Sequence, residues 1–599
     1  MARFHTGQWG AAALTQAYCV QLGWCVGKLP VLIVGAGPVG LTAALLLQSL
    51  GVQARVVEKR SGLHTAPQAH VLKTRTLEIF RTLGLDEAVH SRATPREQLR
   101  YINWFVSLAE PKIASLDLAS VRMGDWLATI SPTRAANLPQ DELEDLLLQA
   151  VVKRGIEISF DVECESVEES ASGARVYLRQ LLSGQVEEVT AEYVIAADGA
   201  GSRLRKQAGI QMQGPSAIAH YIAIYFGSDL RPFLSDHPAN VNWCVQPEHS
   251  GSLIVHGIDR RAVFMQPYEP ELETLAEYDE ARCAEIVKDV VGDRNHPFEI
   301  RGIGSWTKTA QIAERYRHGR LFLVGDAAHR FPPTGGLGAN TGIQDAYNLV
   351  WKLALVLSGA AREALLDTYQ VETQPVARAN SAQSLHNQLR NRGVHEAIGL
   401  TGDREHDWKV LAQLRQPSAT AQELRRLAQA AAEDQRPHYT SLGLDLGYSY
   451  EGGAVIPDGT ERIWKDTTTY LPNTRPGSRL PHASITREGA TLSVHDLLSY
   501  DRFTLLAGGQ GQAWLAAALA LRDSGMSISS EQIGGASPLQ DPQGSWRELC
   551  GHRPSGALLL RPDGHVAWRS QGADPAPRKT LADVMHQLLG GPPTPGSSA

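Results

Sequence analysis

The sequence predicts an α/β protein of more than one domain. It reads as a three-layer nucleotide-binding unit around a parallel sheet, an antiparallel sheet inserted into that unit, and a smaller C-terminal α/β domain. Three observations predict this. Residues 30–58 read as strand, glycine turn, helix and strand; two more strand-and-glycine motifs follow far downstream, at 194–203 and 321–330; and stretches of alternating apolar and aromatic residues lie between them. With 599 residues the chain is too long for a single core, and length alone suggests roughly four domains.

The first strand, from Pro30 to Val34, is an unbroken apolar run bounded by Gly35. A helix follows from about Pro38 to Ser49, Gly51 is placed to cap it, and Ala54 to Glu58 supplies the second strand. Alternation at 101–130 and 221–265 reads as antiparallel sheet, placing substrate-binding insertions at about 95–135 and 211–300 inside a discontinuous cofactor domain, 30–400. Ile343, Ala346, Tyr347, Val350, Leu353, Ala354 and Leu357 recur at helical spacing, so a packed helix follows the third motif. Another helical stretch runs from Asp367 to about His395. Charged, Gln-rich sequence at 401–440 reads as a solvated linker or a helix pair. Residues 441–589 then form a separate domain, with strands at 499–507 and 556–568 and Arg561-Pro562-Asp563-Gly564 as a hairpin turn.

The ends carry less information. Residues 590–599, rich in Gly, Pro and Ser, are expected to be disordered. Residues 1–29 read as a poorly ordered extension: the apolar part holds Gln16 and Gln21 and follows only Arg3 and His5, a poor signal-peptide profile.

Composition excludes several functions. A net charge of −7 and a pI near 6.3 provide no global positive field for nucleic acid or an anionic membrane, so an anionic cofactor must be held locally. No run approaches the ~18 apolar residues of a membrane span. Cys19, Cys25, Cys164, Cys244, Cys283 and Cys550 include no C-x-x-C pair, which fits a reducing, cytoplasmic setting without a thiol redox centre. No His cluster has metal-ligand spacing, and no metal is expected.

The chemistry is carried by the three motifs. Gly35, Gly37 and Gly40 satisfy G-x-G-x-x-G between a strand and a helix, where free amides of the first turn can hold a pyrophosphate. Glu58 ends the second strand, roughly 20 residues past the last glycine, where a carboxylate accepts from ribose hydroxyls and repels a 2′-phosphate. This site should bind FAD or NAD rather than NADP. Asp198-Gly199 follows a strand with Arg203 and Arg205 close behind; it reads either as an organiser of the pyrophosphate and nicotinamide region or as a surface turn closed by a salt bridge. Asp326, after Leu321 to Val324, can accept from ribityl hydroxyls. The glycine-rich loop 332–338 then aims a helix dipole at whatever lies over it, which around a flavin favours the anionic reduced ring.

These motifs, with the segments 138–143 and Gly338-Ala339-Asn340 to Asn348, resemble the group A flavoprotein monooxygenases, the single-component aromatic hydroxylases. The resemblance runs from Val31 to about Arg569. It is nearest to the larger phenol, dichlorophenol and aromatic-polyketide hydroxylases, whose thioredoxin-like C-terminal domain lacks active cysteines. It implies a Rossmann-like FAD domain and a reaction in which NADPH or NADH reduces FAD, O2 forms a C4a-hydroperoxide, and oxygen passes to an electron-rich aromatic ring. Baeyer-Villiger or epoxidising chemistry in the same cradle, and a flavin-binding protein without turnover, are the alternatives.

Carried over by position, Gly35, Gly37, Gly40 and Glu58 would hold the ADP half of FAD and Gln140 would lie near the cofactor chain. Asp326 would bind ribityl and pyrophosphate groups, Asp198 would serve both FAD and the nicotinamide cofactor, and Gly336, Gly338, Ala339 and Asn340 would face the flavin ring. Gln68 stands where many relatives have Arg. His70 occupies the place of an acidic residue that takes the phenol proton; a histidine could do that work, or merely hydrogen-bond the backbone beside the flavin. Tyr225, Asn242 and Trp243 are the candidate substrate contacts on the inserted sheet. His329 reads as structural. The C-terminal domain is expected to serve structure or assembly, with a homodimer as the expected form.

Overall fold

A computed structural model describes residues 28–122, 124–170 and 173–591. The expectations for the two ends fall almost wholly on 1–27 and 592–599, outside the described residues.

The first sheet grows from Leu29–Val34, whose Val31, Leu32 and Ile33 are fully buried, as a strand covered on both faces requires. It pairs in parallel with Ala54–Val57 and with Val186–Ala196; Glu157–Ser159 and Leu321–Leu323 extend the parallel set at either side. Because these strands run the same way, the turns after Val34, Val57, Ala196 and Leu323 all open at one edge of the sheet. The residues singled out at 35–40, 58, 198 and 326 are thereby brought together, at the edge where open α/β sheets bind ligands. Helices Pro38–Ser49, Gln140–Lys153 and Gly338–Leu357 pack beside one another and bury their apolar faces in the same core.

The second sheet has seven strands, in the order Phe298–Lys308, Ala219–Ser228, Arg261–Tyr268, Gly251–Gly257, Ala239–Cys244, Tyr101–Phe105 and Ala114–Asp117. It differs from the expected antiparallel insertions in one respect: the two sequence-distant pieces join through a parallel pair, Ala239–Cys244 with Tyr101–Phe105. The stretch after Asp117 is also not strand, but short helical turns at Ala119–Arg122 and Asp125–Thr129. One face of the sheet buries Ile222, Ile224, Phe226, Leu253 and Phe264 against the helix Glu280–Val291.

The 401–440 region is a helix pair, Arg404–Leu414 and Ala419–Glu433, and it is no solvated linker. Leu411, Leu414, Ala428 and Ala432 share a core with Ile102, Trp104 and Leu116 of the second sheet. Its high charge misleads because only a narrow stripe of each helix is apolar.

The C-terminal sheet runs Ile528–Gln532, Phe503–Ala507, Ala557–Leu560, Val566–Ser570, with one parallel and two antiparallel pairings, and helices Gln512–Asp523 and Pro577–Leu588 pack together beside it. The turn at 561–564 forms as its sequence predicts: Gly564 adopts φ +75° and donates to Arg561 O at 2.9 Å. Its surroundings are unexpected for a hairpin tip of charged residues, since Arg561, Asp563 and His565 are at most 1% exposed.

Candidate active site

The glycine turn after the first strand is tight in two places and open in one. A side chain at Gly35 (φ +110°) would sit 2.3 Å from Ala197 O, and one at Gly40 would sit 2.0 Å from Gly35 O. Both glycines are therefore required by backbone approach. Gly37 is different: half-buried, it has nothing within 4 Å of its missing Cβ, and it begins the helix Pro38–Ser49 without a capping side chain. The helix's free amides thus face open space, as an incoming pyrophosphate requires.

Glu58 is buried beside this turn. It accepts from Ala36 N (2.8 Å), Arg60 N (3.0 Å) and Arg60 Nε (2.9 Å). Burial alone would raise its pKa, but the Arg60 guanidinium and the two amides outweigh burial and hold the carboxyl below the usual range. The carboxylate is thus fixed in place by protein donors, and Arg60, which the sequence reading did not single out, is the group that fixes it.

Asp198 holds the start of the short helix Arg203–Gln207, which Ser202 caps: its Oδ2 accepts from Arg203 N at 2.9 Å, while its buried Oδ1 has no partner. Burial pushes this carboxyl up. Arg205, only 2% exposed, donates to Ala327 O (3.0 Å) and so ties the second motif to the third. Asp326 is water-accessible yet deeply set, and the surrounding protein pushes its pKa up against the pull of His329 and Arg330. An unpartnered carboxylate oxygen and an exposed carboxylate are acceptors with capacity for hydroxyl donors. FAD fits these features: the open helix end suits its pyrophosphate, and the two acids suit its hydroxyls. His329 is structural, buried with Nε2 2.6 Å from Asp345 Oδ2, an acid that also accepts from Gly325 N.

The loop expected to face the ring divides. Gly336 (φ +61°) approaches Val71 so closely that a Cβ would lie 2.9 Å from its side chain, and Gly338 has open space where a Cβ would go. Ala339 is half-buried at the start of the helix Gly338–Leu357. The Asn340 side chain faces inward, donating to Val71 O (2.8 Å) and Gly336 O (2.7 Å) and accepting from Lys73 N (2.8 Å) and Thr76 Oγ1 (2.7 Å). It is a staple under the loop, with its hydrogen-bonding capacity spent on protein.

Gln140 clasps the segment before Val71, donating from its backbone to Ala69 O (2.8 Å) and from its side chain to Glu144 (2.8 Å); Gln68 lies exposed in that segment. His70 Nδ1 is 2.7 Å from Asn137 Nδ2 and 3.5 Å from Asn240 Nδ2, and its ring meets His256 edge-on at 5.3 Å. His256 is buried, with its pKa pushed well down by burial, then by His70 and Arg261. Pattern alone could not pair His70 with His256, because His70 lies in the loop before Val71–Leu72 and His256 on the distant strand Gly251–Gly257.

The candidate substrate residues separate by face. Alternation puts Tyr225, with Tyr221 and Ala223, on the face opposite the Glu280–Val291 helix, and Tyr225 lies 6.0 Å under the Arg301 guanidinium. Asn242 is fully buried in register with Leu253; it donates to Ala239 O (3.1 Å) and accepts from Asn103 Nδ2 (2.9 Å), bracing the sheet. Trp243 Nε1 donates to Tyr439 Oη at 2.8 Å, and its ring packs with the helix pair.

Comparison with known proteins points to the same cofactor. Residues 28–384 match the family described as FAD binding domain, and residues 473–592 match aromatic-ring hydroxylase, C-terminal. The chain is 33% identical to a 2,4-dichlorophenol 6-monooxygenase of Delftia acidovorans, over 90% of this chain and 94% of that one. Its structure resembles that of the flavin-dependent monooxygenase PieE in complex with FAD and substrate, with a TM-score of 0.88 and 35% identity over 95% of this chain and 100% of that one. It also resembles aklavinone-11 hydroxylase with FAD and aklavinone, with a TM-score of 0.79 and 30% identity over 94% and 100% of the two chains.

Proposed function

We propose the following reaction for a chain that belongs to the family of FAD-dependent aromatic-ring hydroxylases: insertion of one oxygen atom of O2 into a phenolic or polycyclic aromatic ring, at the expense of NAD(P)H. The observation that carries this reading is the convergence of the open helix end at Gly37, the unpartnered Asp198 Oδ1 and the accessible Asp326 at one sheet edge. Bound FAD supplies the redox chemistry that activates O2; the chain's own residues hold, orient and enclose. Gly35, Gly37, Gly40 and Glu58 take the ADP half and Asp326 the ribityl hydroxyls. Asp198 takes a donor of the cofactor or of the nicotinamide partner. We assign the first unit a Rossmann-like fold and residues 441–589 a thioredoxin-like one, on the support of their strand orders.

His70 is the residue we place at the substrate oxygen. Thr94 Oγ1 donates to Asn137 Oδ1 at 3.4 Å, which turns the Asn137 amide so that its N–H donates to His70 Nδ1. The neutral ring then carries its proton on Nε2 and acts as a donor there, steadying a phenolate oxygen rather than removing its proton. This departs from the reading of His70 as a base.

The test is anaerobic NADPH oxidation by the purified holoprotein with a panel of phenols and polycyclic phenols, followed in air by product mass spectrometry. Substrate-stimulated flavin reduction and a product 16 mass units heavier, one oxygen atom, are expected; no stimulation by any member overturns the reading. His70→Ala should raise KM for phenols with FAD affinity unchanged. An unchanged KM would remove His70 from the substrate.

A further inference from the structure

We propose that the 561–564 turn of the C-terminal domain is a plug that sets the position of the ring-facing loop, with Asp563 and Arg75 as positioning residues. Asp563 O accepts from Arg75 Nη2 at 2.6 Å, and the Asp563 carboxylate accepts from Trp351 Nε1 (3.2 Å) and Arg561 Nε (3.0 Å). Arg561 reaches on to Glu372 Oε2 at 2.8 Å, where Lys352 Nζ (2.7 Å) and Asn348 Nδ2 (2.6 Å) also converge. Arg75 in turn donates to Glu78 Oε2 (3.0 Å), an acid that also accepts from Arg479 Nε (2.8 Å) and Ser131 Oγ (2.7 Å). All of these side chains are at most 5% exposed.

The partners in the FAD domain lie mainly on three helices. Arg75 and Glu78 belong to Thr74–Thr82, Asn348, Trp351 and Lys352 to Gly338–Leu357, and Glu372 to Ala364–Arg390; the turn itself meets the first two directly, at Arg75 and Trp351. The N-terminal ends of those helices meet at Asn340, whose Oδ1 accepts from Lys73 N and Thr76 Oγ1 and whose Nδ2 holds Gly336 O and Val71 O. One turn of the C-terminal domain therefore grips both helices whose junction carries the loop. The grip is directional. Buried ion pairs contribute little net stability relative to apolar packing, whereas their hydrogen-bond geometry admits one arrangement, so a register-setting role suits them better than a purely cohesive one.

The proposal rests on FAD occupying the cradle and is tested on the full-length holoprotein with Arg75→Met, Arg75→Lys and Trp351→Phe. The readouts are FAD dissociation constant, visible circular dichroism of bound FAD, H2O2 released per NADPH oxidised, and melting of the apoprotein. Arg75→Met should weaken FAD by about tenfold, within the range of coupled neighbours, change the visible dichroism and raise H2O2 release, with Arg75→Lys restoring part of each. A folded Arg75→Met protein with wild-type affinity, dichroism and coupling, whatever its melting temperature, overturns the proposal. If Arg75→Met does not fold, Trp351→Phe, which loses the Nε1 hydrogen bond to Asp563 and keeps a smaller aromatic side chain, decides by the same readouts. A wild-type protein that binds no FAD would instead overturn the cofactor reading.

Discussion

Two glycine-containing turns, at 35–40 and at 561–564, each end a strand, and they differ in what their acids meet. Around the first, Gly37 meets open space, Asp198 Oδ1 has no partner and Asp326 is exposed, while Glu58 is held by Arg60 and Ala36 N. Around the second, buried Arg75 Nε and His565 Nε2 have no hydrogen-bond partner, but Asp563 is engaged by Trp351 and Arg561, and the neighbouring Glu78 and Glu372 are each held by several donors. Acceptor capacity left open marks where a ligand can finish the hydrogen bonding; acids held by donors from distant segments mark a joint between parts of the protein. Turn type does not distinguish the two. The accounting of donors and acceptors does.

The largest effect should come from breaking the joint. Asp563→Ala leaves Arg561 buried with only Glu372 to share among cations, and should destabilise the protein by about 3–5 kcal/mol in urea unfolding; a loss under about 1 kcal/mol would show that the network is not the joint. Next, Gly37→Val should leave apoprotein melting unchanged, because its Cβ meets nothing, while weakening FAD by about tenfold or more, ~1.4 kcal/mol or beyond. Equal loss in apoprotein and holoprotein would mean the space at Gly37 is not where the cofactor lies.

The smallest effect has the opposite sign. Asp326 has its pKa raised by burial, so the apoprotein loses stability as pH rises from the unfolded carboxylate value through the raised one. Asp326→Asn should therefore melt slightly higher than wild type as apoprotein at pH 7.5, with the difference gone below about pH 4, while its FAD affinity falls. A lower apoprotein melting temperature at pH 7.5 would place Asp326 among the joint-forming acids instead.

Much of the cradle was legible in the sequence because it depends on local rules. A buried parallel strand must be an apolar run, the turn after it must be glycine where a Cβ would strike Ala197 or Gly35, and an acid must end the next strand. The helix pair at 401–440 was ambiguous because a narrow apolar stripe is diluted by charge. The surroundings of Asn242, Trp243 and Asn340 were not legible, for a different reason. Each has the residue type of a ligand contact, but whether its side chain faces a ligand or the protein depends on register and on partners far away in sequence: Leu253, Tyr439, and Val71 with Lys73.

The sequence by itself determined the glycine turn at 35–40, the order of the three motifs and the elements that carry them, since these follow from spacing and backbone sterics within a few residues. Only the tertiary structure decided which polar groups are spent. It joined two distant segments into one sheet through a parallel pair, set His70 against His256, and buried the 561–564 turn among Arg75, Trp351 and Glu372. The physical reason is that a hydrogen bond or an ion pair has no range along the chain. A donor and an acceptor satisfy each other wherever folding brings them within about 3 Å, and no local pattern announces the meeting.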